Sequence, residues 1–281
     1  MQKKYSEHTI KKYAMIYQEY EAYLQVINKT ILNIETVELK NFTYQLYDRS
    51  YKSATIANYI SSLKSLYKYF IQIGYLENNI TKNLKYPKKE NKLYEIIYQE
   101  ELQQFFTAIE QEKKYQKRNK ALFLLLYTSG IRVSECANLQ LKDINYEENL
   151  VKVYGKGKKE RIVPITQETI QAIQVYIATQ RQTLDPTNKN KYMFLNNQGQ
   201  QLTDRGIRYL TTKFCKKAAL YTNISPHKFR HTLATNLLNN GMDLRLIQEI
   251  LGHETLTTTQ KYTHITNNQL QNIYNGAIKR S

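Results

Sequence analysis

The sequence predicts a mainly α-helical protein in two parts. A small helical bundle fills residues 1–86, and a larger, mostly helical domain with a small antiparallel β-sheet fills residues 96–281. Three observations carry this. Only nine glycines and four prolines interrupt 281 residues, so long helices are the economical reading. Apolar residues recur at three- and four-residue spacing through most of the chain. Only around Gly155-Lys156-Gly157 do two alternating segments, Val151–Val153 and Arg161–Val163, flank a turn in the manner of a β-hairpin.

In the first part, residues 6–27 place Ile10, Tyr13, Ala14, Tyr17, Glu21 and Leu24 on one stripe, with Ser6 as N-cap. A shorter helix is expected over 36–47. Residues 53–73 align Ile56, Ile60, Leu63, Tyr67 and Phe70, and Gly74 suits a left-handed stop. The polar stretch Tyr86-Pro87-Lys88-Lys89-Glu90-Asn91-Lys92 then breaks the pattern, and a linker is placed over 87–95.

In the second part, helices are expected over 98–111 and 117–128, the latter stopped by Gly130, with another short helix after Arg132. After the hairpin come a helix over 166–180 and a short strand, Tyr192–Leu195. Helices follow over 203–219, 226–239, 243–251, 257–264 and 267–279. Ser225 caps the 226–239 helix with Pro226 at its first position. The last helix carries Leu270, Ile273, Tyr274 and Ile278 on a stripe.

Charge narrows the partner. There are 41 Lys and Arg against 24 Asp and Glu, a net charge of +17. Residues 1–90 hold 14 basic and 8 acidic residues, net +6, and the remainder is net +11. A basic surface on both parts suggests a polyanion gripped from two sides. The longest apolar run, Ala121–Tyr127, is seven residues, against the ~20 a membrane helix needs. The N-terminus has no apolar core of a secretory signal, so a cytoplasmic protein is expected. Two cysteines without a CxxC pair exclude a disulfide framework and a thiolate zinc site.

Several residues have the chemistry of an anion site. Arg230 falls inside the apolar arc formed by Phe229, Leu233, Ala234, Leu237 and Leu238. A guanidinium there needs an anion, either a structural carboxylate or phosphate oxygens. His227 lies near the edge of that arc. Arg132 begins a helix, where a cation is unfavourable unless an anion accompanies it; Glu135 or a phosphate would serve. Lys156 stands in the glycine-flanked turn, in a sequence that is not a Walker A loop. His227 and His231 share a helix face, but no HExxH pattern or nearby acid makes a metal site of them.

Five motifs occur in order. They are Thr128-Ser129-Gly130-Ile131-Arg132-Val133-Ser134-Glu135, Gly155-Lys156-Gly157, His227-Lys228-Phe229-Arg230-His231, Leu251-Gly252-His253-Glu254 and Tyr262-Thr263-His264. Arg132 and Lys156 lie 24 residues apart, His227 and Arg230 three, and His253 and Tyr262 nine. The order and spacing resemble the tyrosine recombinases of the phage-integrase family, nearest to the Xer type. The resemblance covers 93–281 and extends more weakly to the N-terminal bundle as a core-binding domain. One departure is Asn79-Ile80, where many relatives carry Asn-Pro.

The resemblance implies a DNA strand-transfer enzyme. Arg132 and Arg230 would hold the non-bridging oxygens of the scissile phosphate. Tyr262 would be the nucleophile, His227 its proton acceptor, and Lys156 the acid that protonates the departing 5′-oxygen. His253 would hydrogen-bond the phosphate, and Glu135 would support its neighbours. No metal and no other cofactor is implied. The partners implied are a double-stranded DNA recombination site, three further copies of the chain in a tetramer on two sites, and a second recombinase or accessory protein. Helix 267–279 would dock into a neighbouring protomer; its deletion is expected to spare DNA binding and abolish strand exchange. The absence of room for a further DNA-binding domain ahead of the bundle favours dimer or cointegrate resolution over integration or excision of a mobile element. A type IB topoisomerase-like enzyme and a regulator that kept the fold without the chemistry are the competing classes.

Overall fold

The computed structural model describes residues 7–88, 96–155, 159–220, 224–252 and 266–278. The chain divides into two compact units, Met1–Leu93 and Tyr94–Ser281. No described helix is long and apolar enough to cross a membrane.

The first unit packs α1 (Glu7–Val26), α2 (Thr36–Asp48) and α3 (Ser53–Gln72). Glu38 closes the N-terminus of α2 by accepting from the Glu35 amide at 2.8 Å. Gly74, with φ of +75°, follows α3 as its left-handed stop. The core is rich in tyrosine, and this shifts α1 from its expected face. Ile16, Tyr20, Tyr23 and Leu24 are buried, whereas Ile10 is 55% exposed and Ala14 and Glu21 face water. The reason lies in the tyrosine rings and hydroxyls. Tyr20 and Tyr23 each lie 5.1 Å from the Phe42 ring. The Tyr20 and Tyr67 hydroxyls pair at 2.7 Å, so neither buried phenol lacks a partner.

The second unit begins with α4 (Gln99–Glu110), α5 (Gln116–Ser129) and α6 (Val133–Asn138). A three-stranded antiparallel sheet follows, β1 (Ile144–Asn145), β2 (Leu150–Tyr154) and β3 (Glu160–Pro164), in the order β1-β2-β3. Val151 pairs with Val163 and Val153 with Arg161. The two-residue β1 was not foreseen. Tyr192–Leu195 is not a strand: Tyr192 and Leu195 each make an isolated bridge, to Gln140 and Gln201. The expected helix over 166–180 is α7 (Gln167–Tyr176), which widens into a π-helical turn at Ile177–Arg181 and resumes as α8 (Gln182–Leu184). Then come α9 (Asp204–Lys217), α10 (Pro226–Asn239), α11 (Leu244–Leu251) and α12 (Asn267–Ile278). Thr203, Ser225 and Asp243 cap α9, α10 and α11 through their side-chain oxygens. The helix expected over 257–264 lies outside the described residues.

An aromatic cluster fixes α10. Phe229 lies 5.5 Å from Phe105 on α4, and Phe105 lies 5.0 Å edge-on from Phe123 on α5. Leu238, placed in the buried arc of α10 by periodicity, is instead 48% exposed.

Helix α12 packs on its own unit. Tyr274 is fully buried and donates to the Thr128 carbonyl at the end of α5. Gln271 donates to the Ile165 carbonyl at 3.0 Å, and Asn240, which follows α10, to the Ala277 carbonyl at 2.7 Å. Within this chain, deletion of 267–281 therefore strips a buried tyrosine from the core, and the expectation that DNA binding survives it is revised. Tyr274→Ala is expected to cost about 3–5 kcal/mol, as for other buried aromatics. Urea unfolding of the second unit reads this, and a midpoint unchanged from wild type would show that α12 does not hold that core.

Candidate functional site

Four of the seven site residues read from the sequence lie among the described residues: Arg132, Glu135, His227 and Arg230. The structure gathers them at one place. Lys156, His253 and Tyr262 lie outside the described residues.

The gathering begins with a glycine. Gly130 ends α5 with φ of +59°, a conformation that L side chains rarely adopt. A Cβ there would stand 2.7 Å from Leu251 and 2.9 Å from Leu233. The chain therefore turns against α10 and α11 and delivers Arg132 as the N-cap of α6. Glu135 closes the first turn of α6 by accepting from the Arg132 amide at 2.7 Å, and pairs with the Arg132 guanidinium at 2.9 Å. The local Arg–Glu pair is thus real. It leaves Nη2 of Arg132 to donate to the Gly252 carbonyl at 2.8 Å.

Among the described residues, Arg230 lacks the structural carboxylate that would have explained it, and none forms an ion pair with it. Its guanidinium donates to two backbone oxygens, Gly130 at 2.7 Å and Leu251. A third arginine, Arg161 at the start of the second alternating segment, completes the cluster. Arg161 on β3 donates to both carboxylate oxygens of Glu135 at 2.8 Å and to the Ile250 carbonyl at 2.9 Å. The signal for it was strand alternation: Arg161 stands two residues from buried Val163, on the same face of β3.

The arrangement has a simple frame. Three consecutive carbonyls at the C-terminus of α11, those of Ile250, Leu251 and Gly252, each receive one guanidinium, from Arg161, Arg230 and Arg132 respectively. A helix C-terminus leaves such carbonyls unpaired and carries partial negative charge, so it both satisfies and attracts cations. Only three donors are committed to the helix, and Glu135 is the one described carboxylate ion-paired to the cluster. Among the described residues, three positive charges stand against one negative charge.

The titration behaviour agrees. Burial, and then the neighbouring charges of Arg132 and Arg161, push Arg230 down to about 10. Burial alone would raise the Glu135 carboxyl, but the hydrogen bonds and charges of Arg161 and Arg132 prevail and hold it below its ordinary value, so it stays ionised. His227 is exposed at the start of α10. Partial desolvation, then the charges of Arg208, Arg230 and Arg132, push its imidazole below its ordinary value, toward the neutral form. The site is therefore a fixed cluster of guanidiniums, with an imidazole alongside that can accept a proton.

Comparison with known proteins identifies a family. Residues 95–269 match the phage integrase family, and residues 1–74 match the phage integrase N-terminal SAM-like domain. The chain is 38% identical to the tyrosine recombinase XerC of Halalkalibacterium halodurans, over 98% of this chain and 92% of that protein. It is also 38% identical to the XerC of Staphylococcus haemolyticus, over 100% and 94%. Among solved structures it resembles the XerH site-specific recombinase bound to a palindromic difH substrate in a post-cleavage complex. That match has a TM-score of 0.75 and 26% identity, and covers 97% of this chain and 77% of that one. From the arginine cluster, the ordered motifs and likeness along its whole length, the chain belongs to the phage integrase family and is a Xer-like tyrosine site-specific recombinase.

Proposed function

We propose that this recombinase uses Arg132 and Arg230 to bind the scissile phosphate of a double-stranded DNA site and Tyr262 to attack it. The observation that carries the assignment is Arg230: a half-buried guanidinium with backbone partners, no paired carboxylate among the described residues and a depressed proton affinity. A phosphodiester supplies negative charge, and the pentavalent transition state supplies more, so the cluster binds it more tightly than the ground state. Tyr262 Oη forms a bond to phosphorus as the P–O5′ bond breaks. His227 takes the phenolic proton, Lys156 gives a proton to the departing 5′-oxygen, and His253 donates a hydrogen bond to the phosphate. Glu135 keeps Arg132 in place. The product is a 3′-phosphotyrosyl diester, so the bond energy is conserved for attack by the 5′-hydroxyl of another strand.

The N-terminal residues 1–86 serve in this reading as a core-binding domain and 96–281 as the catalytic domain. Full-length similarity to XerC proteins favours dimer or cointegrate resolution, by four protomers on two sites with a partner recombinase or accessory protein, over mobile-element integration. In that assembly the face of α12 that holds the exposed Ile273 is available to a neighbouring protomer.

The test is covalent trapping. The protein is mixed with nicked, partly randomised duplexes and denatured, and the attached DNA is sequenced. A discrete sequence joined through its 3′ end supports the reading. DNA binding without an adduct would leave a regulator in its place, and relaxation of a single supercoiled plasmid without a second site would favour the topoisomerase-like class. A second expectation follows from His227. At sub-saturating DNA the adduct rate reports the free enzyme, so the acid limb of its pH profile should have its midpoint below about 6.5 and be absent in His227→Gln. A wild-type midpoint above that value would contradict proton acceptance by a depressed imidazole.

A further inference from the structure

Arg161 has three committed nitrogens and no role in the chemistry described above. Its two Nη atoms grip both oxygens of Glu135 at 2.8 Å, and its Nε holds the Ile250 carbonyl at 2.9 Å. Its side chain is only 13% exposed, against 37% for Arg132. It is therefore turned toward the protein, while Arg132 remains accessible to a ligand.

Three segments meet at this side chain. The first is the N-terminus of α6, because the Glu135 that Arg161 grips also holds Arg132 by backbone and guanidinium. The second is the end of α11, immediately before His253. There Gly252 lies so close that an added Cβ would stand 3.0 Å from Cδ and Nε of Arg161, and its φ is +66°. The third is Gly155 and Lys159, the described residues between β2 and β3. The Gly155 amide donates to the Lys159 carbonyl at 2.8 Å. A Cβ on Gly155 would lie 3.8 Å from Nη1 of Arg161 and 3.9 Å from Oε1 of Glu135. One planar fork thus meets the start of α6, Gly252 at the end of α11 and Gly155 just after β2, which lie far apart in the sequence.

We propose that Arg161 is a positioning residue for strand cleavage. It sets the placement of Arg132, Gly155 just after β2 and Gly252 at the end of α11 relative to one another, and does so through its bidentate geometry without touching the phosphate. Charge alone would not do this: a lysine ammonium is a point charge that cannot hold two carboxylate oxygens and a carbonyl in one plane. Misplacement of reacting groups by about 1 Å costs roughly 100-fold in rate.

The proposal rests on the phosphate-binding reading of the site, and the test separates the two. The duplex captured by wild type is used in single-turnover cleavage at saturating DNA, with Arg161→Lys and Arg161→Gln and a thermal melt of each. Both variants are expected to bind the duplex within about threefold of wild type and to cleave about 100-fold more slowly. Where Arg161→Gln does not fold, Arg161→Lys carries the test. A second duplex bears a methylphosphonate at the scissile position, which removes one phosphate charge. It should partly restore Arg230→Ala and leave the Arg161 variants as slow as before. Full activity in Arg161→Lys would overturn the proposal, because charge alone would then suffice. Restoration by the methylphosphonate would overturn it too, because Arg161 would then be neutralising the phosphate directly. Failure of wild type to cleave any duplex would instead remove the phosphate-binding reading itself.

Discussion

Tyr262→Phe is expected to bind the captured duplex as wild type does and to form no covalent adduct. The substitution removes one oxygen and keeps the ring, so packing and DNA contacts change little while the attacking atom disappears. Expected loss is complete because none of the described tyrosines of the catalytic unit suits the role; Tyr115 and Tyr192, both partly exposed, stand outside the motif order. Tyr127, Tyr146, Tyr176 and Tyr274 are wholly or partly buried, and burial raises each phenol above its ordinary pKa. A phenol that resists ionisation is a poor nucleophile. Tyr274 is moreover committed to the Thr128 carbonyl. Tyr154, Tyr98 and Tyr209 are exposed but stand outside the motif order, and Tyr209 is 69% exposed on α9. Peptide mapping of any adduct that survives in Tyr262→Phe would decide the matter. A phosphotyrosyl peptide containing one of these residues would reassign the nucleophile, while its absence leaves Tyr262 in the role.

Helix positions were legible where caps and punctuation act locally. Ser225-Pro226, Gly74 and Gly130 each mark an end that the structure has within one or two residues. Faces were less legible where side chains are amphipathic. The register of α1 was misread because tyrosine scores as either core or surface, and what decides is the Tyr20–Tyr67 hydroxyl pair across two helices. Tyr192–Leu195 reads as a strand by composition, yet it has only single bridges to pair with. The site divides similarly. Arg132, Glu135, His227 and Arg230 sit in motifs and were read directly. Arg161 reads as an ordinary strand residue, because its role appears only once β2 and β3 are paired and one strand face turns inward. The three acceptor carbonyls of α11 are backbone atoms, and no side-chain pattern announces them.

Arg230→Ala should separate activity from stability. The guanidinium serves the protein through two backbone hydrogen bonds, to Gly130 and Leu251. Each is worth about 1 kcal/mol, somewhat more with a charged donor. Against that stand the burial of the charge and then the repulsion from Arg132 and Arg161, which together push its proton affinity down. These contributions oppose one another, and water can reach the freed carbonyls of a half-buried site. The melting temperature is therefore expected to move by only a few degrees. Catalysis has no such compensation. Removal of a preorganised cation from a transferring phosphoryl group costs on the order of 10³-fold, or ~4 kcal/mol of barrier. Arg230→Lys should fall between the two, because one ammonium cannot hold two carbonyls and a phosphate oxygen together. Single-turnover cleavage and a thermal melt on the same preparations check both halves. A melting temperature that collapses in parallel with the rate would make Arg230 a structural bridge after all. A stable variant that cleaves at the wild-type rate would remove it from the phosphate.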